Sequence, residues 1–567
     1  MSAPTSAGKS YILLRLIEEQ FFSLEKTIGV YIVPTRALIQ QVEIDIVEAF
    51  NNAGLNNVAI SSIPSLIKDW DCKPQLYVLT QERLLWILNE EPNFIPNIVV
   101  IDEAQKVGDG SRGILLQQAI EELTHRSKNT KFLFSSPLTE NPEIFLNDAP
   151  NDISTKPVAS EYVAVNQNLI WVNQIPKKPL EWEMNLCINE DTYILGKFNI
   201  SSRPSHISMR LPLVAYALAD FYGGNLLYAN GAAEAEKMAL QLWSLQGSEN
   251  ETSDTDLLNL IELSSKTINK KYSLCTVLSR GVGFHYGNMP LLIKNEIEKL
   301  FKSGKIKFLV CTSTLIEGVN LPAKSIFIRG PKKGRGKPMG EMDFWNLAGR
   351  AGRQGKEFQG NVVCVDPTSK KAWTEPPPRK RKKYTISKAV DYIVENNSKD
   401  LLDYIELSET KVKVDLKPEF DYVFTYFLGE YLKNESFKHL EGKYSSDFLV
   451  NLTGIADDVR SKIEIPLKII NNNPGINPYA MQRLLEYFRN YSGEIQELIP
   501  SLPEDENALT NYCDIIGIIS EYLSGDVPQL TYPHALLVLN WLRGMSLSRI
   551  IDRNWGYWSK KVKNWIL

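Results

Sequence analysis

Residues 3–10 read Ala3-Pro4-Thr5-Ser6-Ala7-Gly8-Lys9-Ser10 and run directly into an apolar stretch, residues 11–22, whose pattern predicts a helix. Small residues closing on Gly-Lys-Ser at a helix start make an anion cradle, because backbone N–H groups and the helix dipole both face a phosphate chain. In such a cradle Lys9 neutralises the β/γ phosphates and the Ser10 hydroxyl reaches Mg²⁺. Ala3, Pro4, Thr5, Ser6, Ala7, Gly8, Lys9 and Ser10 are therefore the expected binding segment for a nucleoside triphosphate. The first position, usually glycine, is Ala3, so the string needs the other half of a nucleotide site to give it meaning. The strand before such a loop is usually central in its sheet, and only Met1 and Ser2 precede this one. The expectation is that this strand comes from sequence further upstream or from a partner.

Outward from the cradle, short apolar runs each stop where a polar cluster begins. Residues 28–33 deliver Pro34-Thr35-Arg36-Ala37-Leu38, and residues 77–79 lead to Thr80-Gln81-Glu82-Arg83. Residues 98–101 end at Asp102-Glu103-Ala104-Gln105, and residues 131–134 end at Ser135-Ser136. This is the pattern of an open parallel sheet whose ligands collect at the carboxyl ends of its strands. Hydrolysis of a γ-phosphate needs a carboxylate for the metal and a group to orient water. Asp102 is assigned to the metal, with Ser10, and Glu103 to the water. Paired acids at a strand end are common; the upstream Gly8-Lys9-Ser10 gives these two a task.

Between residues 150 and 204 the pattern changes to alternating stretches such as Tyr162-Val163-Ala164-Val165 and Leu169-Ile170-Trp171-Val172. A second αβ unit follows, with strands expected at 226–228, 306–310, 325–328 and 361–365. It carries Asn346-Leu347-Ala348-Gly349-Arg350-Ala351-Gly352-Arg353-Gln354-Gly355. Arginines three apart on a helix face the same way, and such a pair suits a finger that spreads the charge of a γ-phosphate in transfer. Loss of a finger costs ~10³–10⁵ in turnover, about 4–7 kcal/mol of barrier. Residues 376–383, Pro-Pro-Pro-Arg-Lys-Arg-Lys-Lys, read as a basic hinge that is either a solvated linker or a phosphate contact. Helical periodicity dominates from there to the end, as at 479–491 and 534–541.

With 567 residues the chain exceeds one hydrophobic core. The division that follows is 1–150, a β-rich connector at 151–205, 206–370, a basic linker at 371–390, and helices at 391–567. The balance of 63 Lys+Arg against 67 Asp+Glu gives a net charge of -4, so any nucleic-acid site must be a local channel. Six scattered cysteines, with no paired spacing, fit a reducing cytoplasm and neither a zinc site nor a disulfide framework. No apolar run is long enough to cross a bilayer.

Across residues 3 to about 366 the ordered clusters resemble superfamily 2 helicases, and are most similar to the superkiller-type branch with its archaeal repair helicases and exosome-assisting RNA helicases. Residues 3–10 resemble motif I, 34–38 motif Ia, 80–83 motif Ib and 102–105 motif II. Ser135-Ser136-Pro137 with Asn141 resembles an altered motif III, and residues 226–230 motif IV. Gly283-Phe284-His285-Tyr286-Gly287-Asn288 and then 312–322 lead through motif V, and 349–353 resemble motif VI, with Asn346 where glutamine is usual. The resemblance implies an α/β fold of two RecA-like parallel-sheet domains in tandem, followed by a mainly helical domain, with ATP and Mg²⁺ in the cleft. It implies that Thr35, Arg36, Thr80 and Thr312 touch a nucleic-acid backbone, and that Gln105, Gly318, Asn320, Arg350 and Arg353 serve ATP and domain closure. Residues 539–547 are similar to a helical segment near the end of that branch; Trp541 at helical spacing among leucines is expected in a core.

The expectation is an ATP-dependent helicase or translocase on single-stranded DNA or RNA, or on a duplex with a tail. DNA is favoured by the form of Glu317-Gly318-Val319-Asn320-Leu321-Pro322. A protein partner in a repair or antiphage defence system, no membrane and a cytoplasmic location complete it. The rival from the binding class is an ATP-gated nucleic-acid clamp that never separates strands; a further reading is an inert fragment.

Overall fold

Both faces of the strands at 28–32, 75–79 and 98–101 are buried, so the two-residue alternation of a strand sends neighbouring side chains into two different cores. The computed structural model describes residues 1–4, 7–23, 26–67, 73–149, 154–162, 165–221, 223–247, 251–314, 321–334, 336–352, 359–410, 418–524 and 531–566, with side chains to 556. Strands β1 (Ile28–Ile32), β2 (Ala59–Ser61), β3 (Gln75–Leu79), β4 (Ile98–Ile101) and β5 (Lys131–Phe134) form a parallel sheet in the order β2-β3-β1-β4-β5. Tyr31, Val78 and Val100 face helices α1 (Lys9–Ser23) and α2 (Arg36–Ala53), where Ile17, Phe21 and Phe50 meet them. Ile32, Tyr77 and Val99 face the other way, toward α3 (Gln81–Glu90) and α4 (Gly110–Arg126). The carboxyl ends of β1, β3 and β4 thus present residues 34–36, 80 and 102–105 along one edge of lobe 1. Ser2 bridges Ser136 just beyond β5 and Ala159 on its other side. The backbone leading into the cradle therefore runs beyond β5, between residues 136 and 159, and not beside β1, whose two sides β3 and β4 occupy.

The stretch expected as a β-rich connector supplies β6 (Asn166–Gln174), β7 (Glu181–Ile188) and β8 (Asp191–Asn199) to the second sheet. With β9 (Asn225–Tyr228), β10 (Val282–His285), β11 (Phe308–Cys311), β12 (Ser325–Ile328) and β15 (Gln359–Val365) the order is β10-β11-β9-β12-β15-β6-β7-β8. Pairing is parallel up to β6 and antiparallel across β7 and β8. A small hairpin of β13 (Lys332–Lys333) and β14 (Lys337–Pro338) stands apart from this sheet. Lobe 2 also holds α5 (Arg210–Leu218), α6 (Ala232–Leu245), α7 (Thr255–Thr267), α8 (Ser273–Leu278), α9 (Leu291–Lys302) and α10 (Glu341–Ala348). Residues 163 and 164, part of one expected strand, lie outside the described residues. The lobes touch where Asn295 of α9 donates to the Gln40 side chain of α2.

The basic run is not a free linker. Lys380 pairs with Glu190 at 3.2 Å and Lys382 with Glu341 at 3.1 Å, while Arg379 lies 4.4 Å over the Trp171 ring. The chain then crosses to lobe 1, where Glu140 N–H donates to the Tyr384 carbonyl (3.0 Å) and Asn141 exchanges two hydrogen bonds with Ile386.

Helices α11 (Ala389–Thr410), α12 (Glu419–Asn434), α13 (Ser446–Lys462), α14 (Leu467–Asn472), α15 (Pro478–Arg489), α16 (Ala508–Ile519), α17 (Thr531–Leu542) and α18 (Leu547–Ile566) complete the fold. Ile114 of α4 is part of their core, beside Val390, Ile393 and Val423. Lys433 pairs with Glu122 at 2.6 Å and Lys443 with Glu121 at 3.1 Å. At the far end Asn269, just past α7 of lobe 2, donates to Asp552 of α18 at 2.7 Å. The helical region thereby spans both lobes. Trp541 is 61% exposed, not in a core, because α17 buries only the stripe of Ala535, Leu539 and Asn540.

Candidate nucleotide site between the lobes

Gly8 takes φ +80°, a left-handed turn that brings the chain round into the first turn of α1. Lys9 is 9% exposed, and its ammonium donates to the carbonyls of Ala3 (2.8 Å) and Pro4 (3.0 Å). Ser10 stands exposed on the same turn, with Ala7 half-buried before it. Thr5 and Ser6 lie outside the described residues. Burial holds the Lys9 ammonium below its usual range, opposed by the charges of Glu103 and Asp102.

Asp102 leaves the end of β4 and accepts from the Tyr31 hydroxyl (3.3 Å) and from Glu103 N–H (3.0 Å). Burial, then the adjacent Glu103 charge, push its carboxyl up to about 6, with Lys9 pulling the other way. Glu103 sits in the left-handed region, φ 53°, and caps the short 3-10 turn Ala104–Gly108. That turn aims Gln105 back, and its amide donates to the Glu103 carboxylate at 2.5 Å.

Arg350 comes from lobe 2. Helix α10 ends at Ala348, so Arg350 lies in the turn beyond it and not on a continuing helix as its spacing suggested. Gly349 closes the helix, and Ala323 pins the turn by accepting from Gly352 N–H (2.7 Å) and donating to the Arg350 carbonyl (2.9 Å). A Cβ on Gly360 of β15 would stand 2.1 Å from the Ala351 backbone, so the turn lies against the strand only because glycine is there. Burial pulls the Arg350 guanidinium down to about 10, and Glu103 of lobe 1 is the first charge opposing that, ahead of Cys311 and Glu298 of its own lobe. Lys9, Asp102, Glu103, Gln105 and Arg350 thus form one electrostatic cluster across the cleft. Gly318, Asn320 and Arg353 lie outside the described residues.

The residues expected on nucleic acid sit at strand ends. Thr35 and Thr80 occupy the N-cap positions of α2 and α3, yet neither hydroxyl makes the cap hydrogen bond. Both hydroxyls are buried without a well-aligned partner, although Thr80 stands beside the Glu82 carboxylate. Arg36 is exposed; Thr312, past β11, is buried with its hydroxyl 3.3 Å from that of Thr314. Tyr31, which holds Asp102, was not singled out from sequence, since a tyrosine inside an apolar strand reads as core.

The residues present fit a magnesium-bound triphosphate. A lysine parked on loop carbonyls and a hydroxyl at a helix start share one turn, the charges of two carboxylates act on that lysine, the Ser135 hydroxyl stands beside the Asp102 carboxylate, and the buried Gln105 side-chain oxygen lacks a partner. Among the described residues no cluster of three His, Cys, Asp or Glu could hold a metal unaided. Mg²⁺ takes one or two carboxylates and completes its shell with phosphate oxygens and water, a demand that Asp102 with the Ser10 hydroxyl would meet.

Comparison with known proteins agrees with this geometry. Residues 1–145 match the family model of DEAD/DEAH box helicases, and residues 258–355 match that of the helicase conserved C-terminal domain. The chain is 26% identical over 373 residues to the ATP-dependent DNA helicase Hel308 of Thermoplasma volcanium, covering 64% of this chain and 49% of that protein. To Hel308 of Thermoplasma acidophilum it is 22% identical over 582 residues, covering 98% and 77%. To anti-bacteriophage protein B of Escherichia coli it is 26% identical over 380 residues, covering 65% and 45%. Apart from the second of these, the chain spans about half the length of the curated relatives it matches. Among the described residues no helix is long and apolar enough to cross a membrane.

Proposed function

We propose that this chain, a relative of the DExH-like superfamily 2 helicases through both of its lobes, hydrolyses ATP in the cleft and uses the closure to move along single-stranded nucleic acid. The observation that carries the reading is that Glu103 of one lobe is the first charge opposing the burial of Arg350 in the other, and acts on Lys9 of its own lobe as well. Ser10 and Asp102 would hold Mg²⁺, which neutralises phosphate charge.

The chain's own groups do the remaining work. Lys9 exchanges the Ala3 and Pro4 carbonyls for phosphate oxygens. Glu103, steadied by Gln105, orients the attacking water and takes its proton. Arg350 spreads the charge on the phosphoryl group in transfer, with Arg353 as its expected companion, while Gly318 and Asn320 complete the nucleotide's surroundings. Thr35, Arg36, Thr80 and Thr312 grip the strand backbone without reading its sequence, so changing the separation of the lobes moves one grip relative to the other.

DNA is the favoured strand, supported by the relatives named as DNA helicases. The exposed Trp541 offers a face on which a base can stack. The likeness to an anti-bacteriophage protein supports a partner in a defence system. The five described cysteines, all free, support a cytoplasmic setting.

The test is ATP hydrolysis and strand displacement measured together. Lys9→Ala is expected to abolish hydrolysis, and Glu103→Gln to bind ATP and stall; turnover like wild type in either contradicts the assignment. Strand-stimulated hydrolysis without displacement or translocation would identify a clamp instead.

A further inference from the structure

Five cations follow one another at 379–383, and four of them are engaged by surface acids or by an indole. Arg379 stacks on Trp171 and donates to the Glu190 carbonyl (2.6 Å); Lys380, Lys382 and Lys383 pair with Glu190, Glu341 and Glu161. Arg381 turns inward instead and is half-buried. Its guanidinium lies 5.3 Å over the ring of Trp345 on α10 and donates to the Gln167 side-chain oxygen. A guanidinium can serve both neighbours at once, because a face is available to the indole while the edge N–H groups donate.

Both neighbours hold the turn that carries Arg350. The Trp345 carbonyl accepts from Gly349 N–H (2.8 Å), one residue before the arginine, and the Trp345 indole donates to the Lys380 carbonyl (2.9 Å). Gln167 stands beside Gly360 in the register of β6 with β15, and its amide donates to the carbonyls of Val165 (2.9 Å) and Ala351 (3.4 Å). Residues 349 and 351 flank Arg350, so residues 380 and 381 bear on the turn from both of its sides. The other supports of the turn, Ala323 and Gly360, belong to lobe 2 itself. Residues 380 and 381 belong to the segment that crosses to lobe 1, where Glu140 N–H donates to the Tyr384 carbonyl and Asn141 exchanges hydrogen bonds with Ile386. The Arg350 turn is thus steadied by a piece of chain whose far end is fixed on the lobe that holds Lys9 and Glu103.

We infer that Arg381 is a positioning residue for Arg350: through Trp345 and Gln167 it fixes the turn that carries that guanidinium, and it touches neither nucleotide nor strand itself. The inference rests on the reading of Arg350 given above. Displacing a reacting group by about 1 Å costs up to ~10²-fold in rate even when the change lies far from the chemistry. Lysine keeps a charge for the indole but lacks the planar fork, so it cannot hold Trp345 and Gln167 together as firmly.

The experiment measures strand-stimulated hydrolysis at saturating Mg·ATP, ATP binding by calorimetry and a melting curve. The full chain is compared with Arg381→Gln, Arg381→Lys, Arg350→Ala and the double variant Arg350→Ala with Arg381→Gln. Arg381→Gln is expected to lower kcat about tenfold and leave ATP affinity unchanged, with Arg381→Lys in between. Because the effect passes through Arg350, Arg381→Gln is expected to add no further loss to Arg350→Ala in single-turnover hydrolysis. If Arg350→Ala turns over like wild type, the reading of Arg350 fails and takes this inference with it. If Arg350→Ala is slow, three results overturn the Arg381 inference alone: a normal kcat in Arg381→Gln, an ATP affinity lowered by the same factor as kcat, or the same loss in both backgrounds. Should Arg381→Gln not fold, Arg381→Lys decides: a lowered kcat at unchanged ATP affinity and melting temperature supports positioning, and a wild-type kcat overturns it.

Discussion

Lobe 1 and lobe 2 are built from the same kind of parallel sheet, yet they reach the cleft in different states of readiness. In lobe 1, Lys9, Asp102 and Glu103 lie within one another's fields, Tyr31 holds Asp102, and Lys9 is capped by its own loop. In lobe 2, Arg350 sits in a turn held by Ala323 and Gly360, and the first charge opposing its desolvation belongs to the other lobe. The difference teaches that Lys9 and the two acids already act on one another within lobe 1, whereas the first charge opposing the burial of Arg350 is supplied only when the lobes meet.

The strongest way to break that comparison is Arg350→Ala. Turnover is expected to fall ~10³–10⁵-fold, the scale for an arginine finger, while ATP affinity changes far less. Steady-state hydrolysis beside a binding titration checks this, and an equal loss in both would make Arg350 part of the cradle. The helical region sharpens it from a third side. Trp541→Ala removes a stacking face and is expected to weaken single-strand binding by about 1–3 kcal/mol, as base–aromatic stacking does. Hydrolysis without a strand should be unaltered, and fluorescence anisotropy with a labelled oligonucleotide reads the loss.

Tyr31→Phe probes the prebuilt half. It removes one hydrogen bond to Asp102 at a cost of about 1 kcal/mol, visible as a lower melting temperature with little change in turnover. A large kinetic loss would show that the Tyr31 hydroxyl positions Asp102 for turnover and does not merely support the fold.

The smallest effect concerns the seam between lobe 1 and the helices. Burial would raise the Asp148 carboxyl, but Lys388 and Lys443 outweigh it and hold the group below its ordinary value. A depressed acid contributes stability that is full above its unfolded pKa, about 3.9, and is lost as pH falls through the lower folded value. Asp148→Asn should therefore flatten the acid limb of a stability-versus-pH curve below about pH 4 and leave the neutral plateau slightly lowered. An unchanged acid limb would show that the seam rests on Ile114 and its apolar neighbours.

Much of both sheets was legible because buried parallel strands are written as short apolar runs: β1, β4 and β12 lie where those runs predict them. The destination of 166–199 was not legible. Alternating strands announce a sheet without saying which sheet, and only the pairing of β6 with β15 assigns them to lobe 2. Trp541 misled because helical spacing reports that a face is apolar, not that another element covers it. Arg381, whose guanidinium turns inward onto the Trp345 ring and the Gln167 side-chain oxygen, was invisible among five consecutive cations, since nothing local marks it.

Sequence alone determined the chemistry that neighbours in the chain can make together: the cradle of residues 3–10 and the acids at 102–103 need only a turn, a helix start and a strand end. Tertiary structure decided which acid's charge acts on Arg350 and which of the cations at 379–383 turns inward onto Trp345. Those are relations between residues far apart in the chain, and their strength is set by separation and burial, quantities that exist only once both lobes and the segment crossing between them enclose the same space.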